Sequence, residues 1–426
     1  MVEALPFRAL MYDLDAIPRL SDVICPPYDV ISDQMREDLY GKNSFNVVRL
    51  EYSQQICSGN EEDRYEVAAQ DLRDWIDQGV LKVTKQANFY LLNQTYTDAY
   101  GALRTRKVLI SRVRLVRFSE GSVLPHEHTI PKAKKDRLEL LKSCETNFSP
   151  IMAVYRDSDR RINSILNSER VNKSVITQGM ISGEGEFTLS EISKHEDVMA
   201  ITEAFQDIPV LIADGHHRYE TALEYSQVSG AAGAQYVMMG LIALDDPGLD
   251  IYGYHRVISG ITEDVKLSLM ARIHEEFEEY KAVRLPEDAR GCSREIGKLL
   301  ASPDRAKWDI ALLHDSGDAS LLRMRADHTG GRGNIRLPIR LLEDCLTVGV
   351  QNTSSSASQI VDYDHDVESA VARVRSGGCA MGFILGGLEV DLFEKVVISE
   401  GRLPRKSTYF YPKLPAGVVM YPLSGD

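Results

Sequence analysis

The densest set of chemically capable side chains in the sequence is Asp214-Gly-His-His-Arg218. One carboxylate, one glycine, two histidines and a guanidinium follow one another there. Glycine at 215 lets the backbone come close to a ligand. Arg218, with the unpaired N–H groups that open a helix, favours an anion at that spot. The plainer alternative is a helix cap, with Asp214 capping and His216 and His217 merely solvated. So many ionisable groups at one turn favour a site. A second cluster is Leu124-Pro-His-Glu-His-Thr129, where Glu127 stands between His126 and His128. The spacing is not the H-E-x-x-H of a helical zinc site and no third ligand is adjacent, so a glutamate general base is the better chemistry. The third is Lys406-Ser407-Thr408, whose ammonium and hydroxyls can bind phosphate or carboxylate. It is no P-loop, because Arg405 holds the place of the glycine that must precede the lysine.

These residues need elements to hold them. Pro209-Val-Leu-Ile-Ala213 reads as a buried strand, and Tyr219, Ala222 and Leu223 repeat at helical spacing. The Asp214 cluster is therefore a strand-to-helix turn. Cys25-Pro-Pro-Tyr28 is extended, since consecutive prolines exclude a helix, and Tyr28, Asp29 and Arg49 are further candidates to face a site. Ser32 caps a helix over 33–40, and 46–50 reads as a strand. Residues 61–78 are expected to form an amphipathic helix with Tyr65, Ala68, Leu72, Trp75 and Ile76 on one face. Strands are expected at 88–93, 107–116, 151–155 and 236–244. The last third alternates helices (263–280, 293–301, 338–345, 366–374) with strands (309–314, 320–325, 380–385, 395–398), and Thr353–Ser358 is a polar loop. The expected class is mixed α/β. Three regions are expected: 1–120, 121–260 with the phosphate-binding turn, and 261–426, which contributes the 404–413 segment to the site.

Composition narrows the function. The 426 residues carry a formal net charge of −14, from 63 acids against 49 bases. Such a balance disfavours nucleic acid as a partner, though a local basic pocket for a small anion stays open. No apolar run approaches the roughly 20 residues of a membrane span, and the amino terminus has no secretory pattern. Six cysteines without a C-x-x-C pair fit reduced thiols in a cytoplasmic protein.

Cys25-Pro-Pro-Tyr-Asp-Val-Ile31, Leu124–Thr129, Ile212–Ala222 and Lys406–Lys413, in that order, resemble the bacterial and archaeal family of unknown function DUF1015. Pro-His-Glu, Asp-Gly-His-His-Arg and a late Lys-Ser-Thr are also similar to the motifs of archaeal ADP-dependent free-serine kinases, of the ParB/sulfiredoxin-like superfamily. That resemblance implies a ParB/sulfiredoxin-like core with mixed sheets and flanking helices, followed by a C-terminal α/β unit. It implies a nucleotide-dependent kinase acting on a serine-like hydroxyl metabolite, with ADP or ATP as donor and Mg²⁺. Glu127 is then the general base and His217 a donor to the transferring group. Gly215, His216, His217 and Arg218 take the phosphates, Asp214 the metal, and Lys406, Ser407 and Thr408 the substrate. Sulfinic-acid reduction does not fit, because His216 stands where sulfiredoxins have cysteine. A non-catalytic nucleotide or metabolite sensor and a ParB-like regulator are the alternatives.

Overall fold

The longest apolar strands of the sequence lie side by side. A computed structural model describes the chain except residues 54–62, 100, 130, 182–184, 303, 305, 306, 308, 326–334, 351–359 and 425–426. The expected polar loop Thr353–Ser358 lies outside the described residues. The fold is mixed α/β, as expected, and it divides into two compact units.

The first unit comprises Met1–Thr97, Leu103–Leu249 and Pro412–Asp426. Its nine-stranded sheet uses β1 (Ala4–Leu5), β2 (Phe89–Thr97), β3 (Leu103–Arg114), β4 (Val123–Pro125), β5 (Ile151–Tyr155), β6 (Val175–Ile181), β7 (Gly185–Ile192), β8 (Val210–Asp214) and β9 (Tyr236–Ala243). The order is β4-β8-β5-β9-β3-β2-β7-β6, with β1 also on β3. The expected boundary at residue 120 therefore falls within one sheet. β5, β8 and β9 are buried along almost their whole length, which explains why they read as continuous apolar runs rather than alternating ones. Helices α1 (Asp33–Lys42), α2 (Asp63–Asp77), α3 (Pro131–Cys144), α4 (His195–Phe205) and α5 (His216–Val228) flank it. Ser32 caps α1 as expected, its hydroxyl accepting from Met35 N–H at 3.2 Å. Residues 46–50 do not form a strand: Val48–Glu51 is a single helical turn. Asn46, fully buried, accepts from Val48 N–H at 3.0 Å, and this local bond turns the backbone.

The second unit comprises Asp98–Ala102 and Asp250–Tyr411. Its six-stranded sheet runs Phe277–Val283, Ala319–Met324, Ile310–His314, Met381–Leu385, His255–Ile258 and Val361–Asp364. Helices α6 (Glu263–Glu276), α7 (Ala289–Ala301), α8 (Pro338–Val350), α9 (Val367–Arg375) and α10 (Val390–Glu400) accompany the strands. The expected helix over 263–280 stops at Glu276. The next residues alternate in burial and pair with Ala319–Met324, where Arg323 meets Glu278 at 2.7 Å. The expected strand at 395–398 is instead part of α10, whose buried Phe393, Val396 and Val397 follow helical spacing. No described helix is long and apolar enough to cross a membrane.

Candidate functional site

β8 leaves the sheet at Asp214, and Gly215 makes the turn with φ +90°. α5 starts at His216 with no side-chain cap, so Asp214 is not a helix cap. A Cβ at Gly215 would lie 3.0 Å from Arg218 Nη2 and 3.1 Å from its Cζ and Nε. Glycine is thus required twice, for the left-handed backbone and for the guanidinium resting on it.

Asp214 spends both oxygens on cations. Oδ2 accepts from Arg218 Nη2 at 2.9 Å, and Oδ1 pairs with Lys413 Nζ. Burial alone would raise its pKa, but Lys413 and Arg218 outweigh that and hold the carboxyl well below the usual range. Arg218 Nη1 donates to Ser149 Oγ and to the Pro150 carbonyl, both at 2.9 Å. Three of its five N–H groups are engaged in this way. Its Nε–H and one Nη2 hydrogen have no partner among the described residues.

Lys413 reaches Asp214 because the segment carrying it is fastened at several points. Buried Arg106 donates to the Pro412 carbonyl at 2.6 Å. Leu414 fills the space above Gly240 of β9, where a Cβ would lie 2.4 Å from Leu414 Cδ1. Ala416 donates to the Cys25 carbonyl at 2.8 Å, and Gly417 to that of Phe148 at 2.9 Å. One strap therefore joins the Cys-Pro-Pro-Tyr segment, the 147–150 loop and the Asp214 turn.

The Pro-His-Glu segment arrives from the neighbouring strand. β4 runs parallel to β8 with Pro125 opposite Ile212, an offset of 212 − 125 = 87. The pairing ends at Pro125, two residues before Glu127, and at Ile212, two residues before Asp214. His126 Nδ1–H donates to the Ile212 carbonyl at 2.6 Å, while its backbone N–H donates to His216 Nε2 at 3.2 Å. The two rings meet edge to face, 4.6 Å between centroids. Burial pushes the His126 pKa down to about 4 and that of His216 well below its ordinary value, so both rings are neutral at pH 7. Neutral His216, accepting at Nε2, carries its proton on Nδ1. Glu127 is half-buried and His128 exposed, while His217 is half-buried at the second position of α5.

Behind Arg218 lies a polar chain not anticipated from sequence. Ser149 Oγ donates to buried Glu51 at 2.9 Å, and Arg137 Nη1 donates to the Glu51 carbonyl at 3.0 Å. Arg137 lies 4.0 Å over the ring of Tyr28 and pairs with Asp136. Burial, partly offset by Arg137, pushes the Tyr28 phenol up to about 12. A small cavity of about 50 Å³ is lined by Glu51, Arg137, Ser149, Arg218 and Thr221. Of the early candidates, Tyr28 thus joins the network. Arg49 instead stacks on Tyr40, and Asp29 is exposed.

Lys406, Ser407 and Thr408 belong to the second unit. There Lys406 Nζ lies 4.6 Å over the Tyr254 ring, Ser407 donates to the Pro404 carbonyl at 2.6 Å, and Thr408 is buried. Lys413 is the lysine of that late segment that pairs with Asp214. A metal role for Asp214 meets a carboxylate already held by two cations, and no cluster of three metal-binding side chains occurs among the described residues. These residues do not form a protein-made Mg²⁺ cage.

Residues 4–343, about four-fifths of the chain, match the family model described as "Protein of unknown function (DUF1015)", and the chain belongs to that family. No curated protein matches it. Similar solved structures include a conserved hypothetical protein from Pyrococcus furiosus, at 14% identity over 72% of this chain and 93% of that one, TM-score 0.35. A free serine kinase in complex with AMP matches at 14% identity over 71% and 86%, TM-score 0.34. SbnI with C-terminal truncation from Staphylococcus aureus matches at 12% identity over 71% and 82%, TM-score 0.33.

Proposed function

We propose that the protein is a nucleotide-dependent small-molecule kinase that phosphorylates a hydroxyl, with free L-serine as the first acceptor to test. The observation that supports this reading is the parallel pairing of the strand leading towards Glu127 with the strand that ends at Asp214, joined by the bond from His126 N–H to His216 Nε2. The Asp214–Arg218 turn offers an uncapped helix start, an arginine and a lysine. Phosphoryl transfer needs chiefly positioning and charge neutralisation, and such a turn offers both.

In this reading the phosphates of ADP or ATP lie against the α5 N–H groups and the remaining Arg218 donors. Asp214 keeps Arg218 and Lys413 in place, and Lys413 takes the role first assigned to Lys406. Glu127 accepts the acceptor's hydroxyl proton as its oxygen bonds to the terminal phosphorus. The bond from that phosphorus to the bridging oxygen breaks, and AMP or ADP leaves with the electron pair. His217 donates to the group in transfer, and the neutral His126–His216 pair fixes the turn. Mg²⁺ belongs to the metal–nucleotide substrate rather than to a protein cage.

The test is phosphorus NMR of the full chain incubated with Mg²⁺, ADP or ATP, and an amino-acid pool. A new phosphomonoester resonance is expected. Saturable nucleotide binding without transfer to any hydroxyl acceptor would favour the sensor reading instead.

A further inference from the structure

Helix α7 in the second unit has two unlike sides. Cys292, Ile296 and Leu300 are buried in the core of that unit. Ser293, Gly297 and Ala301, at four-residue spacing, line a cavity of about 480 Å³ together with Arg290, Arg294 and Lys298. A Cβ at Gly297 would meet nothing within 4 Å, so the floor of this cavity is open. Ser293, Gly297 and Glu368 also line a second cavity of about 260 Å³, whose wall includes Tyr252, His255 and Asp366.

His255 is the telling residue. It is only 3% exposed, and its Nδ1 accepts from Leu385 N–H at 3.3 Å. The neutral ring therefore carries its proton on Nε2, and that N–H has no partner among the described residues. Burial pushes its pKa down to about 4, which keeps the ring neutral. His255 lines the second cavity, so this donor is available to an acceptor on a ligand held there.

The charges around it are mixed. Arg290, Arg294 and Lys298 line the first cavity, which shares Ser293, Gly297 and Glu368 with the His255 cavity, and in the latter Asp366 and Glu368 would repel a simple anion. We propose that this cavity binds a zwitterionic α-amino acid with an apolar or aromatic side chain. The carboxylate accepts from His255 Nε2–H and the Ser293 hydroxyl, the ammonium faces Asp366 and Glu368, and the side chain lies against Tyr252 and Leu300. The site lies wholly within the second unit and does not depend on the kinase reading.

The experiment is calorimetric titration of the full chain with each of the standard amino acids, repeated on Gly297→Leu and Ser293→Leu. Both changes fill the cavity from the open side of a helix, so folding is retained. The wild type should bind at least one apolar or aromatic amino acid. Each filling variant, and each N-acetylated or amidated analogue, should bind about tenfold or more weakly. Phosphoryl transfer, if present, should be unchanged in Gly297→Leu, which separates this proposal from the kinase assignment. The proposal is overturned if no amino acid binds at millimolar concentration, if both filling variants bind as the wild type does, or if the deaminated acid binds equally well.

Discussion

Asp214 is held between Lys413 and Arg218, and neither cation could easily spare it. Asp214→Ala should destabilise the first unit by about 3–5 kcal/mol, because it leaves buried positive charge uncompensated. Urea unfolding followed in that unit checks this, and an unchanged midpoint would refute the ion-pair argument. The neutral histidines give a pH signature. Below its ordinary value near 6.5 the unfolded chain protonates His126, while the folded chain resists down to about 4. Stability is therefore full above about pH 6.5 and falls as the pH drops towards about 4, by on the order of 3 kcal/mol for this group. His216 acts in the same direction. The Asp214 contribution is full above the ordinary carboxylate range and is lost as the pH falls through that range and below it. A urea midpoint that stays flat across the window would contradict the neutral-pair assignment. At this scale the sequence made Asp214, Gly215, His216, Arg218 and Glu127 conspicuous, because motif and spacing are local. Lys413, Ser149, Glu51 and Arg137 gave no such signal, because their partners lie far away along the chain.

Two elements position the site. The β4–β8 pair converts a long sequence separation into adjacency, bringing His126 onto Ile212 and His216. The strap at 412–417 does the same for Lys413. Gly240→Val should test the strap, since the added atoms occupy the space of Leu414 and Val108. Overpacking there should cost about 1–3 kcal/mol, and nucleotide affinity should fall with it as Lys413 shifts. Titration of the folded variant with ADP and ATP reads the second effect; affinity equal to wild type would show that Lys413 does not serve the nucleotide. The strap was hard to read in advance because it is mostly irregular, with only Tyr409–Tyr411 in a strand just before it. The strand–turn–helix at 210–228 was easy, because a buried apolar run and a helical repeat abut at a glycine.

Across the whole molecule, the mixed α/β class was legible from the alternation of apolar runs and amphipathic stretches. The partition into units was less so: the first unit draws its sheet from residues 4 to 243 and recovers the chain's last segment, Pro412–Asp426. Linear composition contains no mark of such a return. In the second unit, Phe277–Val283 is a strand and Val390–Glu400 a helix against expectation, because segments this short suit either period.

In the proposed kinase Glu127 is the base and the Asp214–Arg218 turn holds the phosphates. Glu127→Gln tests this assignment most directly, through nucleotide affinity and phosphoryl-transfer rate measured on the same preparation. The expected result is nucleotide affinity close to wild type with transfer slowed roughly 10²- to 10⁴-fold. Transfer at the wild-type rate would contradict the account.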